Sequence, residues 1–105
     1  MENIVLTEAV YYALLSLYSP LHGYGIMQKI ESMSNGRVRL AAGTLYGAIS
    51  SMAEKDWIQA VAGENNSRKK EYVITARGKN IAKNELARLK ELVASGESAI
   101  GEKSG

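Results

Sequence analysis

The sequence predicts a mostly helical α+β domain, and three observations carry that prediction. Apolar residues recur at helical spacing in three stretches of the first half. Two β-prone stretches flank a polar, basic segment in the second half, and one further amphipathic stretch follows them. The chain has 105 residues, 46% of them hydrophobic, which suits a single domain with a real core.

The elements can be justified in order. Thr7 suits a helix N-cap, and Glu8 follows in the first turn, where the helix dipole favours negative charge. Val10, Ala13, Leu14 and Leu17 then fall at i, i+3, i+4 and i+7, one buried helical face. Ser19-Pro20 ends that helix, because proline disfavours helical geometry in the residue before it. A second helix is expected from His22 or Gly23 to Met33, with Ile26, Ile30 and Met33 inward. Ser34-Asn35-Gly36 is a turn signal, since Asn and Gly tolerate positive φ. Arg37-Val38-Arg39-Leu40 alternates with period two and is expected to form a short strand.

A third helix is expected over about Gly43 to Lys55, with Leu45, Ala48, Ile49 and Met52 inward. Its opposite face carries Gly43, Gly47, Ser50 and Glu54, with Thr44 and Ser51 on one shoulder and Tyr46 on the other. Trp57–Ala62 and Lys70–Thr75, joined by residues 63–69, predict a hairpin with a polar, partly basic tip. Thr75 suits the cap of a last helix, although Gly78 rules out a capping box. Ala82, Leu86, Leu89 and Val93 form the apolar stripe of that helix. Beyond Ser95 the residues are rich in Gly, Ser and Glu, and fraying is expected. The expected division is 1–75 for the main domain, 76–95 for the last helix and 96–105 for a flexible tail.

Several function classes are disfavoured by composition. There is no cysteine, hence no disulfide framework and no thiolate, and the single histidine, His22, has no partners for a zinc site. No apolar run approaches the roughly 18 residues of a membrane span. Met1-Glu2-Asn3 does not resemble the basic start of a signal peptide, so a soluble cytoplasmic protein is expected. There is no nucleophile–base pair, glycine-rich phosphate loop or metal-ligand cluster, so neither an enzyme nor a cofactor is expected.

The net charge of +2 is unevenly spread. Residues 1–56 carry four basic and five acidic side chains, whereas residues 57–105 carry nine and six. Within 68–83, Arg68, Lys69, Lys70, Arg77, Lys79 and Lys83 face Glu71 alone. Localised positive charge is the footprint of a polyanion binder, because neutralised phosphates release counterions. From charge alone, a solvated basic face is the favoured reading.

Three helices followed by a hairpin with a basic tip and a further helix is the winged helix-turn-helix arrangement. In that arrangement one helix enters the major groove, and here the third helix is the one available. Its glycines would permit close approach, and its Thr and Ser hydroxyls could donate to phosphates or base edges. Small residues also line tight helix–helix contacts, so composition leaves both readings open. No Arg, Lys, Asn or Gln lies on that face, so selectivity would draw on hydroxyls, Tyr46, the flanking Arg37 and Arg39, and DNA shape.

Leu6-Thr7-Glu8-Ala9-Val10-Tyr11-Tyr12-Ala13-Leu14-Leu15-Ser16-Leu17 resembles the opening helix of PadR-like regulators. Pro20-Leu21-His22-Gly23-Tyr24-Gly25-Ile26 resembles the start of their second helix, and Gly43-Thr44-Leu45-Tyr46 the start of their recognition helix. Arg68-Lys69-Lys70-Glu71-Tyr72-Val73-Ile74-Thr75, with Gly78 after it, is similar to their wing and the start of the C-terminal helix. The similarity runs in order over about residues 4–93. It implies a homodimer, usually a repressor, that reads a palindromic operator in double-stranded DNA. By position it implies DNA contacts at Tyr24, Thr44, Tyr46, Lys69 and Lys70, with Gly43 bringing backbone near phosphate; the residues themselves add Arg39, Ser50 and Arg68 as candidate contacts. It also implies that the C-terminal helix, with its stripe of Ala82, Leu86, Leu89 and Val93, supplies the dimer contact. The apolar stripe by itself could equally fold back on its own domain.

Some members of the family sense a small-molecule inducer in a cavity at the dimer interface. This chain departs from them: no aromatic residue follows Thr75, and its final helix is expected to be short. Trp57 reads as a core or hairpin anchor, His22 as a helix-start residue, and Tyr11, Tyr12 and Tyr18 as core or interface. Two rival functions remain: a winged-helix protein-interaction module, and a ligand-responsive sensor.

Overall fold

In the computed structural model, which describes residues 4–62 and 70–101, the chain runs through seven elements. These are α1 (Glu8–Ser16), β1 (Leu21–His22), α2 (Gly23–Met33), α3 (Ala42–Glu54), β2 (Ile58–Val61), β3 (Glu71–Ile74) and α4 (Ala76–Ile100). The strands form one antiparallel sheet in the order β1-β3-β2, with Leu21 opposite Tyr72 and Ala60 opposite the same residue from the other side. The winged helix-turn-helix architecture is therefore present, with a short third strand that periodicity could not reveal.

The caps place the helices. Thr7 Oγ1 accepts the Val10 N–H at 3.1 Å, and His22 Nδ1 accepts the Gly25 N–H at 3.0 Å. Asn35 and Gly36 take positive φ after α2, as the turn signal requires. The apolar stripes converge on one core, in which Leu14, Leu17, Ile26, Ile30, Leu45, Met52 and Ile58 are fully buried. Full burial of side chains of this size contributes about 1.5–3 kcal/mol each, so this group is the main source of stability.

The expected strand at Arg37–Leu40 is not formed. Val38 and Leu40 pack against the core, while Arg37 is paired bidentately with Glu8 and Arg39 Nε lies 3.6 Å from Glu31. Side chains alternate there because an extended linker runs over the core, and the backbone joins no sheet. The Val38 N–H is instead taken by Ser34 Oγ at 2.9 Å.

Trp57 knits the domain together. Its side chain is in the core, its N–H donates to the Met52 carbonyl at 2.9 Å, and its carbonyl accepts the Thr75 N–H at 2.9 Å. Thr75 Oγ1 accepts the Gly78 N–H at 3.0 Å and donates to the Asp56 carbonyl at 2.6 Å. The first turn of α4 is thus pressed against the start of β2. A Cβ on Gly78 would stand 2.1 Å from the Trp57 carbonyl oxygen and 2.7 Å from Ile74 Cγ1.

Two expectations about the last helix are corrected. It is 25 residues long and ends at Ile100, stopped by the left-handed Gly101, and does not fray at Ser95. Gly96 costs a helix only about 1 kcal/mol, and the residues after it keep helical dihedrals until a glycine adopts positive φ. Ala82, expected at a dimer contact, is 3% exposed in a single chain and is buried where α4 joins the body. Its neighbour on the same side, Glu85, is also buried, and it is held by Arg88 Nε at 2.8 Å and Nη2 at 2.6 Å. Those hydrogen bonds keep the Glu85 carboxyl below its ordinary range against the opposing effect of burial, with further help from the Arg88 charge and the Leu6 N–H. Among the described residues no helix is long and apolar enough to cross a membrane.

Gly78→Ala is expected to lower stability by about 2 kcal/mol or more in chemical denaturation, although the same swap on an open helix surface gains about 1 kcal/mol. A stability at or above wild type would contradict the close approach to Trp57. For Glu85, the depressed folded-state pKa means stability that is present above the unfolded-state value and lost as pH falls through the folded one. The stability gap between wild type and Glu85→Gln should accordingly shrink on acidification below about pH 4.5. A gap constant between pH 7 and 3 would contradict the pairing.

Candidate nucleic-acid interface

The inward residues of α3, Leu45, Ile49 and Met52, are locked in the core. Its outward surface is consequently fixed: Gly43, Thr44, Tyr46, Gly47, Ser50 and Ser51 are all exposed. Among the described residues, nothing lies within 4 Å of where a Cβ on Gly43 or Gly47 would stand. Among the described residues, therefore, these two glycines make no helix–helix contact. Each exposed glycine costs an α-helix about 1 kcal/mol relative to alanine. The N-cap, Ala41, offers no side-chain acceptor, so the first N–H groups of α3 are left for solvent or for a ligand.

Tyr46 is half exposed, and its inner half rests on Gly23 at the start of α2. A Cβ on Gly23 would come within 2.4 Å of Tyr46 Oη and 2.7 Å of Cζ. Gly23 is thus the residue that lets the α3 aromatic cross the first turn of α2. Tyr24, 62% exposed, stands beside it. Together with His22, Gly23, Lys70 and Tyr72, Tyr24 and Tyr46 line a cavity of about 200 Å³ where α2, α3 and β3 meet.

The expected site residues divide into groups. Gly43, Thr44, Tyr46 and Ser50 share the exposed side of α3, and Tyr24 and Lys70 approach it through the cavity. Arg39 lies apart, exposed and engaged with Glu31 of α2. Arg68 and Lys69 lie outside the described residues. Sequence reasoning passed over His22 as a helix-start residue. It is one, and the residue is also among those that line the cavity; the only hint was an imidazole at a position usually held by Ser, Thr, Asp or Asn. Among the described residues no group of His, Asp and Glu side chains could hold a metal ion.

On α4, Leu86 and Val93 are exposed at 45% and 58%, and Leu92 and Ile100 continue an apolar surface toward the C-terminal end. Leu89 is half-buried against a cavity of about 380 Å³ between α1 and α4, where Leu6, Tyr11 and Tyr12 also lie.

Comparison with known proteins bears on this arrangement. Residues 12–84 match the model of the transcriptional regulator PadR-like family. A 37.1 kDa transposon protein of Streptomyces fradiae is 34% identical over 84 residues, 77% of this chain, and the chain spans only 23% of that relative's length. A PadR family transcriptional regulator from Eggerthella lenta has a similar fold, with TM-score 0.67 at 20% identity, over 90% of this chain and 82% of that one. Bacillus subtilis PadR, solved in complex with operator DNA, superposes with TM-score 0.62 at 20% identity, over 75% of this chain and 47% of that one. A match across most of the residues from α1 into α4, on a winged helix-turn-helix fold, makes this chain a member of the PadR-like family of transcriptional regulators.

Proposed function

We propose that this chain binds operator DNA through α3 and the β2–β3 wing, and acts as a homodimeric repressor at a palindromic site. The observation that carries this reading is the bare face of α3. Gly43 and Gly47 stand in open space, flanked by Thr44, Tyr46 and Ser50, at a stability cost that no contact among the described residues offsets. A face without side chains lets backbone approach a duplex, and hydroxyls beside it can donate to phosphates or base edges. Lys70, at the start of β3, supplies the adjoining positive charge, and Arg68 and Lys69 extend it in sequence. The operator complex of Bacillus subtilis PadR, a protein of similar fold, supports the same reading.

Homodimerisation rests on α4. Leu86, Leu92, Val93 and Ile100 are large apolar side chains left in water by a single chain. A two-fold pair of winged domains would meet half-sites about 34–36 Å apart, one helical turn of DNA. For an inducer, α4 carries no aromatic side chain, and the α1–α4 cavity offers Tyr11 and Tyr12 in its place.

Fluorescence anisotropy with a duplex carrying the region upstream of the chain's own gene tests the DNA reading. Gly47→Glu should abolish binding while the melting temperature stays at or above wild type. Lys70→Ala should weaken binding and lower the slope of log K against log salt by about 0.9. Binding that survives both changes would refute the interface. For the dimer, Leu86→Lys combined with Val93→Lys should convert the protein to a folded monomer in sedimentation equilibrium. An unchanged dimer would place the contact elsewhere.

A further inference from the structure

We propose that Arg37 is a positioning residue for DNA binding: clamped to Glu8 of α1, it holds the linker that sets the start of α3. The inference rests on the DNA-binding reading above and adds to it a residue that acts without touching the duplex. The chain leaves α2 through two residues of positive φ, Asn35 and Gly36, and Arg37 is the first residue after them. Helix α3 then begins at Ala42 with no side-chain cap, and its first buried residue is Leu45. The first turn of α3 therefore takes its direction from the linker.

The clamp joins positions 29 residues apart. Arg37 Nη1 donates to Glu8 Oε1 at 2.9 Å, and Nη2 donates to Oε2. A forked pair fixes both the place and the plane of the guanidinium, which a single contact does not. Tyr12, one turn after Glu8 on α1, adds a smaller contribution to holding the Arg37 charge. The Arg37 hydrogen bonds in turn hold the Glu8 carboxyl below its ordinary range, so the pair is charged at neutral pH. By contrast, Arg39 on the same linker reaches Glu31 only at 3.6 Å and through Nε. The sequence offers Arg37 as a flanking DNA contact, but its guanidinium is committed to α1.

Both side chains are half-exposed, so the pair adds little to global stability. Its effect falls on direction. Without it the first turn of α3 spends less time in the arrangement a duplex can use, and apparent affinity falls in proportion. Glu8 and Tyr12 also line the cavity between α1 and α4, so the clamp ties that wall to α3.

Simple electrostatics and the clamp make opposite predictions for Glu8→Gln. Removing an acidic side chain raises affinity for a polyanion when charge alone matters, and it would free Arg37 for a phosphate. The clamp instead predicts that Glu8→Gln binds the upstream duplex about threefold more weakly, the scale of one well-formed surface pair. Arg37→Gln should lose the same amount with the salt slope of wild type, whereas Lys70→Ala lowers the slope. Combining the two changes should cost no more than either alone. The exchanged pair, Glu8→Arg with Arg37→Glu, should recover most of the loss. All four proteins should melt within a few degrees of wild type. A Glu8→Gln affinity at or above wild type would overturn the clamp. So would a lowered salt slope in Arg37→Gln, which would make Arg37 a phosphate contact. Either result leaves the DNA reading standing if Gly47→Glu abolishes binding. A melting temperature that falls in step with affinity would make the pair a support of the fold and overturn the positioning role. A wild type that binds no duplex would overturn both readings.

Discussion

The backbone of Trp57 is the joint on which the domain turns. Its N–H takes the Met52 carbonyl at the end of α3, and its own carbonyl takes the Thr75 N–H at the junction of β3 and α4. One residue thereby relates the candidate recognition helix, the wing and the last helix. The joint has almost no tolerance on one side, because Gly78 brings α4 to within ordinary contact of that carbonyl only by lacking a Cβ. Hydrogen bonds of this kind contribute about 0.5–1.5 kcal/mol each, and it is the burial of the Trp57 ring beneath them that makes the geometry hold.

A second glycine performs a comparable task at the site. Tyr46 crosses α2 at Gly23, so two of the segments that resemble the family, around residues 20–26 and 43–46, are in physical contact. The glycine and the tyrosine together set the angle between α2 and α3 and define one wall of the cavity with His22 and Lys70. By contrast, Gly43 and Gly47 touch nothing among the described residues. These glycines therefore serve two opposed purposes, close internal approach at Gly23 and Gly78 and external vacancy at Gly43 and Gly47.

Much of this was legible in the residues. Thr7 and Thr75 announced two helix starts, Asn35-Gly36 the turn between helices, and Trp57 its place in the core. Periodicity identified the inward faces of α1, α2 and α3, because burial against one core imposes it. Other features lacked a local signal. β1 is two residues long and owes its extended shape to β3, a partner about 50 positions away. The alternation at Arg37–Leu40 looked like a strand because an extended linker with ion pairs on its outer side produces the same pattern. On α4 the stripe was visible, but spacing cannot say which partner covers each residue: Ala82 is covered by its own chain and Val93 is not.

The first turn of α3 has no side-chain cap, and glycines stand at its second and sixth positions. Its intrinsic tendency to stay wound is therefore weak. Its amide hydrogens should be among the readiest in the core helices to exchange with solvent. A phosphate placed at that end would supply the acceptors the sequence withholds. A helix finished in that way by a ligand would make recognition and the last step of local folding a single event.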